Sequence, residues 1–111
     1  MNNNEADFNI RADALLDNFM EIIDEALGDQ LDIDLEQGIL SIELDAGGQY
    51  IINKHAPTSQ IWMSSPVSGA THFDFDAEQG SWVSSRSDDK LIDMLITELE
   101  TATGIRLNLE P

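Results

Sequence analysis

Phe8, Ala12, Leu15, Leu16, Phe19, Ile22, Ile23, Ala26 and Leu27 recur every three or four positions and make one apolar stripe, which predicts a helix over 8–27. Gly28 supplies its stop. The period then shortens to two: Leu31, Ile33 and Leu35 alternate with Asp32 and Asp34, the pattern of a half-buried strand, before a turn at Glu36-Gln37-Gly38. Further strands are expected near 39–44, 49–54, 59–64, 70–75 and 81–84, because Gly, Pro, Asn, Asp and Ser cluster between them. Ser87 is the expected N-cap of a second helix, whose stripe runs Leu91, Ile92, Leu95, Ile96, Leu99 and Ala102 up to Gly104. Ile105 to Leu109 alternates again and is expected to lie along the helices, covering apolar surface.

Helix, meander, helix, with one apolar stripe on each helix, predicts an α+β fold. Its simplest form is a two-layer sandwich, with both helices packed on one face of a five- to six-stranded, mainly antiparallel sheet. The other face is then open to solvent. A chain of 111 residues, 41% of them hydrophobic, fits one domain over 1–111.

Charge changes the picture most. Twenty-two Asp and Glu against five Lys and Arg leave a net charge of −17, which repels phosphate backbones and anionic lipid and attracts cations and basic protein surfaces. Nucleic-acid and membrane partners are therefore not expected. The chain has no cysteine, so disulfides, thiolate metal sites and Cys nucleophiles are excluded. Its two histidines, His55 and His72, lie apart, and no nucleophile motif or phosphate-binding glycine pattern surrounds any candidate, so no catalytic residue is assigned. No basic or apolar leader precedes residue 8 and no apolar run is long enough to span a bilayer, which predicts a cytoplasmic protein or a mature organellar one.

Half of the acids fall before residue 37. On a helical wheel Asp13, Asp17, Glu21, Asp24 and Glu25 lie within about 120° of arc, opposite the apolar stripe. Asp29, Asp32, Asp34 and Glu36 follow directly. Like charges at i,i+4 weaken a helix by about 0.2–0.5 kcal/mol per pair, and no Lys or Arg interleaves with this ridge to relieve them. A solvated face is one reading. The other is a surface that takes hard cations (Ca²⁺, Mg²⁺, Mn²⁺ or iron) on Asp17, Glu21, Asp24, Glu25, Asp29, Asp32 and Asp34, or that docks a basic partner. Asp32, Asp34, Glu36 and Glu43 mimic the ligand spacing of an EF-hand loop, but Gly38 is one place late and a strand follows where a helix is required. In the fourth strand Ile61 and Met63 point to the helices, which leaves Gln60 and Trp62 on the open face beside His72. An exposed tryptophan in a polar surround suits a protein-binding hot spot. Trp82 is expected to be structural.

The segment from Tyr50 to Gly69, YIINKHAPTSQIWMSSPVSG, followed by His72-Phe73-Asp74 and Trp82-Val83, resembles the signature of frataxins. The resemblance implies a frataxin fold and a role in iron–sulfur cluster biogenesis. It implies weak binding of Fe²⁺ and Fe³⁺ on the acidic ridge, with other divalent cations as further candidates, and docking on cysteine desulfurase and the scaffold protein. Asp24, Glu25, Asp32 and Asp34 match the family's acidic positions, whereas Asn53, Gln60 and Trp62 match the sheet-face positions that meet the scaffold. His72 stands where mitochondrial relatives often carry a basic residue. A monomer is expected, with iron-driven oligomerisation left open. Two alternatives stand beside a non-catalytic regulator and iron donor: a ferroxidase or iron-storage enzyme, and an acidic adaptor that needs no metal.

Overall fold

A computed structural model describes residues 3–109. α1 (Asn3–Leu27) is followed by β1 (Leu31–Glu36), β2 (Ile39–Leu44), β3 (Gln49–His55), a 3₁₀ turn (Ala56–Thr58), β4 (Gln60–Ser65), β5 (Gly69–Asp76), β6 (Ser81–Ser84) and α2 (Leu91–Thr103). The strands form one sheet in chain order, and every neighbouring pair is antiparallel, so the expected "mainly antiparallel" sheet is wholly so. Connections of hairpin length dictate this, since a parallel pair needs a long crossover.

Alternation sorts each strand into an inner and an outer set. Leu31, Leu40, Ile42, Leu44, Tyr50, Ile52, Ile61, Met63, Phe73 and Trp82 join Phe8, Leu15, Leu16, Phe19, Ile23 and Leu27 of α1 and Leu91, Leu95, Ile96 and Leu99 of α2 in a single core. Both helices therefore lie on one face. Leu107 and Leu109 of the tail are buried in the same cluster, as their spacing predicts, whereas Ile105 stays exposed. Ala26, placed in the α1 stripe by its spacing, is exposed. Trp82 is buried between the edges of Phe8 and Phe75, with ring centroids 6.0 and 5.4 Å away, and is structural.

Two glycines are needed for space. At Gly28 a Cβ would stand 2.6 Å from the Asp24 carbonyl oxygen, so the chain leaves α1 only if that position is bare. Gly38 sits with Gln37 in the left-handed region (φ 76° and 52°), the pair of positive φ values that a type I′ hairpin requires. A Cβ on Gly38 would also meet Lys54 Cε at 2.9 Å, and the Lys54 stem passes there on its way to Asp13.

The expected cap on α2 is corrected. Ser87 does not cap the helix: its hydroxyl accepts from Asp89 N–H (3.2 Å) and donates to the Asp89 carboxylate (3.0 Å). Ser84 N–H takes the Asp89 carbonyl (2.8 Å) and Lys90 pairs with Val83, which holds Lys90 extended and delays the helix to Leu91. Sheet pairing overrides a local cap. Among the described residues no helix is long and apolar enough to cross a membrane.

Candidate functional site

Two surfaces carry the candidate chemistry. Asp13, Asp17, Glu21, Asp24 and Glu25 are all exposed along α1, Asp29 is exposed in the turn that follows, and Asp32, Asp34 and Glu36 are exposed on the outer side of β1. α1 packs mainly along β1, which is an edge strand, so acids of both layers gather at one edge of the sandwich. The sequence suggests that no base relieves this ridge. The fold supplies one: Lys54 Nζ of β3 lies 2.9 Å from Asp13 Oδ1. Both side chains are partly exposed, so the pair contributes at most about 1 kcal/mol, and among the described residues the other acids of the ridge have no ion-pair partner.

Among the described residues no three Asp, Glu or His side chains converge as metal ligands. The donors of the ridge are hard carboxylate oxygens, which fit a hard cation chemically, but no cage holds them in place. Any ion would be bound by side chains that rearrange around it.

The outer sheet face is more organised. Cross-strand register places Asn53 opposite Trp62 and Trp62 opposite His72, with His55 opposite Gln60 and Gln60 opposite Asp74. Trp62 lies flat between two imidazoles. His55 stacks on it at 3.7 Å between centroids and 12° between planes, and His72 at 4.1 Å and 9°. β4 runs between β3 and β5, so the two imidazoles cover opposite faces of the indole. The indole N–H donates to Gln60 Oε1 (2.9 Å), and Gln60 Nε2 donates to Asp74 Oδ1 (3.1 Å). Thr58 Oγ1 lies 2.9 Å from His55 Nδ1. Trp62, Gln60 and His72 thus share one patch, as expected. Asn53 borders it but turns its amide to the Lys54 carbonyl (3.2 Å). His55 was missed: stacking across the register from a diagonal position leaves no mark in sequence spacing.

A second feature escaped sequence reasoning. Glu98 of α2 accepts from Tyr50 Oη (2.8 Å) and Ser65 Oγ (2.5 Å) on Oε1, and from Ser68 Oγ (2.8 Å) on Oε2. Ser65 Oγ in turn accepts the Val67 and Ser68 amides (2.9 and 3.1 Å), so Glu98 fixes the β4–β5 turn. The available signal was that Glu98 stands seven residues after Leu91 and four after Met94, a place in the stripe where an apolar residue is expected. Burial, then the hydrogen bond to Glu98 and its negative charge, push the Tyr50 phenol well above the ordinary tyrosine range. At the β5–β6 turn, hydrogen bonds from the Gln79 side chain and from the backbone hold the Asp76 carboxyl below its usual range.

The Tyr50 shift has a checkable result. A phenol whose folded-state titration lies above its unfolded one stabilises the fold fully below about pH 10, and that stability is lost as pH rises further. Tyr50 is the sole tyrosine, so tyrosinate absorbance reports it alone. We expect no tyrosinate until the protein unfolds in alkali. Ionisation near pH 10 with the fold intact would contradict the buried contact with Glu98.

Two helices on one face of a six-stranded antiparallel meander, with acids along an edge and an aromatic stack on the bare face, define an α+β sandwich built to work through its surfaces. A groove of about 300 Å³ lined by Arg11, Leu15, Phe75 and Trp82 holds none of those surface residues. The chain belongs to the frataxin family: residues 1–105 match the family described as Frataxin-like domain. It is 36% identical over 104 residues to the iron-sulfur cluster assembly protein CyaY of Thioalkalivibrio sulfidiphilus, covering 92% of this chain and 95% of that protein. It is 38% identical to the mitochondrial frataxin of Arabidopsis thaliana over 91% of this chain, and it spans about half the length of that relative (54%). Among solved structures, frataxin from Psychromonas ingrahamii superposes over the whole of both chains with a TM-score of 0.83 at 25% identity. Trimeric yeast frataxin complexed with ferrous iron superposes over 86% of this chain and 87% of that one, with a TM-score of 0.74 at 40% identity.

Proposed function

We propose that this protein is a non-catalytic accessory factor of iron–sulfur cluster assembly, binding iron on the α1–β1 acidic edge and docking on its partners through two surfaces. The observation that carries the reading is the band of exposed, uncompensated carboxylates on a fold whose relatives are named for cluster assembly and, in yeast, were seen with ferrous iron. Asp17, Glu21, Asp24, Glu25, Asp29, Asp32 and Asp34 supply oxygen ligands and a field that attracts a basic partner, for which cysteine desulfurase is the candidate. The face around Trp62, with Gln60, Asn53 and His72, receives the scaffold protein. Iron is cargo here and is held weakly, because the carboxylates must be gathered when it binds. A ferroxidase would need a fixed di-iron site of inward-facing carboxylates and histidines. No such convergence is present among the described residues, and the metal-free adaptor is the second reading.

Anaerobic addition of ferrous iron to isotopically labelled protein separates these readings. Paramagnetic broadening of Asp24, Glu25, Asp32 and Asp34 is expected, reversed by chelator, and at lower iron for the wild type than for D24N/E25Q. Broadening confined to His55 and His72 would remove iron from the ridge. No broadening at all would leave the adaptor.

A further inference from the structure

The histidine stack gives the outer sheet face a property that its acids do not. The apolar side chains there are Ile39 (46% exposed), Ile51, Trp62 and Val83, with uncharged Ser41, Asn53, Gln60, Ser64 and Ala70 between them. No strand position on this face carries Lys or Arg, so His55 and His72 are the strand residues there that can become cations. The other charged groups on this face are acids. β5 offers Asp74 and Asp76, β1 offers Glu36 at the far end of the Asn53–Trp62 row with Asp34 and Asp32 in the rows beyond it, β2 offers Glu43 opposite Asp32, and β4, β6 and the 3₁₀ turn offer none. Arg86, after β6, spends its guanidinium on the Ala70 carbonyl (3.2 Å), and Lys54 points to the helix side, to Asp13. His72 makes no hydrogen bond through its ring, so both of its nitrogens are left for solvent or a partner.

Histidine is the one side chain whose ordinary charge change falls between pH 5 and 8. A protonated imidazole over an indole gains a cation–π contact and, while exposed, keeps a hydration shell. A docked partner does not. The centre of a protein interface is depleted of charge, and burying an imidazolium against an uncharged surface disfavours the protonated form.

We infer that His55 and His72 clamp Trp62 into a docking face that fits an apolar, uncharged protein surface and binds it only with both imidazoles neutral, releasing protons as it docks. The inference rests on the sheet face receiving the scaffold protein. Its sign is fixed: affinity is complete at pH above the histidine range and falls as pH drops through it. Each proton that must leave costs up to about tenfold in affinity per pH unit.

The test is calorimetric titration of full-length protein with purified scaffold protein at pH 7.5, 6.5 and 5.5, each in two buffers of different ionisation heat, with H55Q/H72Q alongside. We expect affinity to fall by about tenfold or more from pH 7.5 to 5.5, with protons released on binding. H55Q/H72Q should bind with a flatter pH profile and lose the proton release that the imidazoles contribute. Equal pH slopes and equal proton release in wild type and variant would overturn the inference while leaving scaffold docking intact. Tighter binding at low pH would also overturn it, because it means that the partner presents carboxylates to the stack. No binding at any pH removes the docking reading and this inference with it.

Discussion

Replacing Glu98 with alanine is expected to destabilise the fold by about 2–4 kcal/mol, the largest effect of any polar substitution in this molecule. The substitution strips the acceptor from Tyr50, which is fully buried, and from Ser65, which is nearly so. Each buried hydroxyl left without an acceptor costs about 1–3 kcal/mol, and the lost bonds were to a carboxylate. The fold has of order 5–15 kcal/mol to lose, so the melting temperature should drop by roughly 10–15 °C. Glu98→Gln keeps an amide oxygen in place and should cost less. Pairing Glu98→Leu with Tyr50→Phe removes donor and acceptor together, so the double variant should be more stable than the sum of the singles predicts. Denaturant unfolding with an unchanged m-value checks all three. A Glu98→Ala variant within about 0.5 kcal/mol of wild type, the range of an ordinary surface change, would mean that water replaces the carboxylate and the network is not structural.

The same carboxylate ties the core to a surface. Ser68 donates to Glu98 and the Val67 and Ser68 amides donate to Ser65, so loss of Glu98 should speed amide exchange in the β4–β5 turn before the strands are affected. Val67, at that turn, is 73% exposed, and its amide is held by Ser65.

The fold was legible where one period dominated. Leu15 to Leu27 and Leu91 to Leu99 declare helices, and Leu31 to Leu35 declares a strand, because each stripe is buried on the side its spacing predicts. What misled was local chemistry that tertiary pairing overrode. Ser87 has the right type for a cap, but the Ser84–Asp89 bond and the Val83–Lys90 bridge hold the chain extended past it. The acidic ridge was legible as a face of one helix. The contact that neutralises Asp13 was not, because Lys54 lies 41 residues from it and its stem passes the bare Gly38 on the way. The sheet-face site was read in part: alternation put Gln60, Trp62 and His72 together. It could not show that His55, two residues beyond the direct partner of Trp62, closes the other side of the indole.

Trp62→Ala should weaken scaffold binding by about 2 kcal/mol or more, roughly thirtyfold in Kd, while leaving the fold nearly as stable as before. The two effects separate because of where the indole sits. It is half-buried on the outer face, outside the core cluster that holds the helices to the sheet, so its removal opens no interior cavity. What it does remove is the centre of the stack: His55 and His72 lose their common partner, and Gln60 loses the indole N–H while keeping Asp74. The stacked face then changes from a rigid three-ring ledge to two mobile imidazoles that must be ordered if a partner is to bind there, and that ordering opposes binding. Trp62→Phe keeps a ring between the imidazoles but gives up the bond to Gln60, so it should lie between wild type and alanine. D24N/E25Q provides the contrast. It acts at the other surface, so it should weaken the desulfurase contact and flatten its salt dependence, with little change in scaffold affinity. Affinities of both partners for the three variants, measured at fixed pH and salt, decide the matter. A Trp62→Ala protein that binds scaffold within twofold of wild type would show that the stacked face is not the scaffold surface.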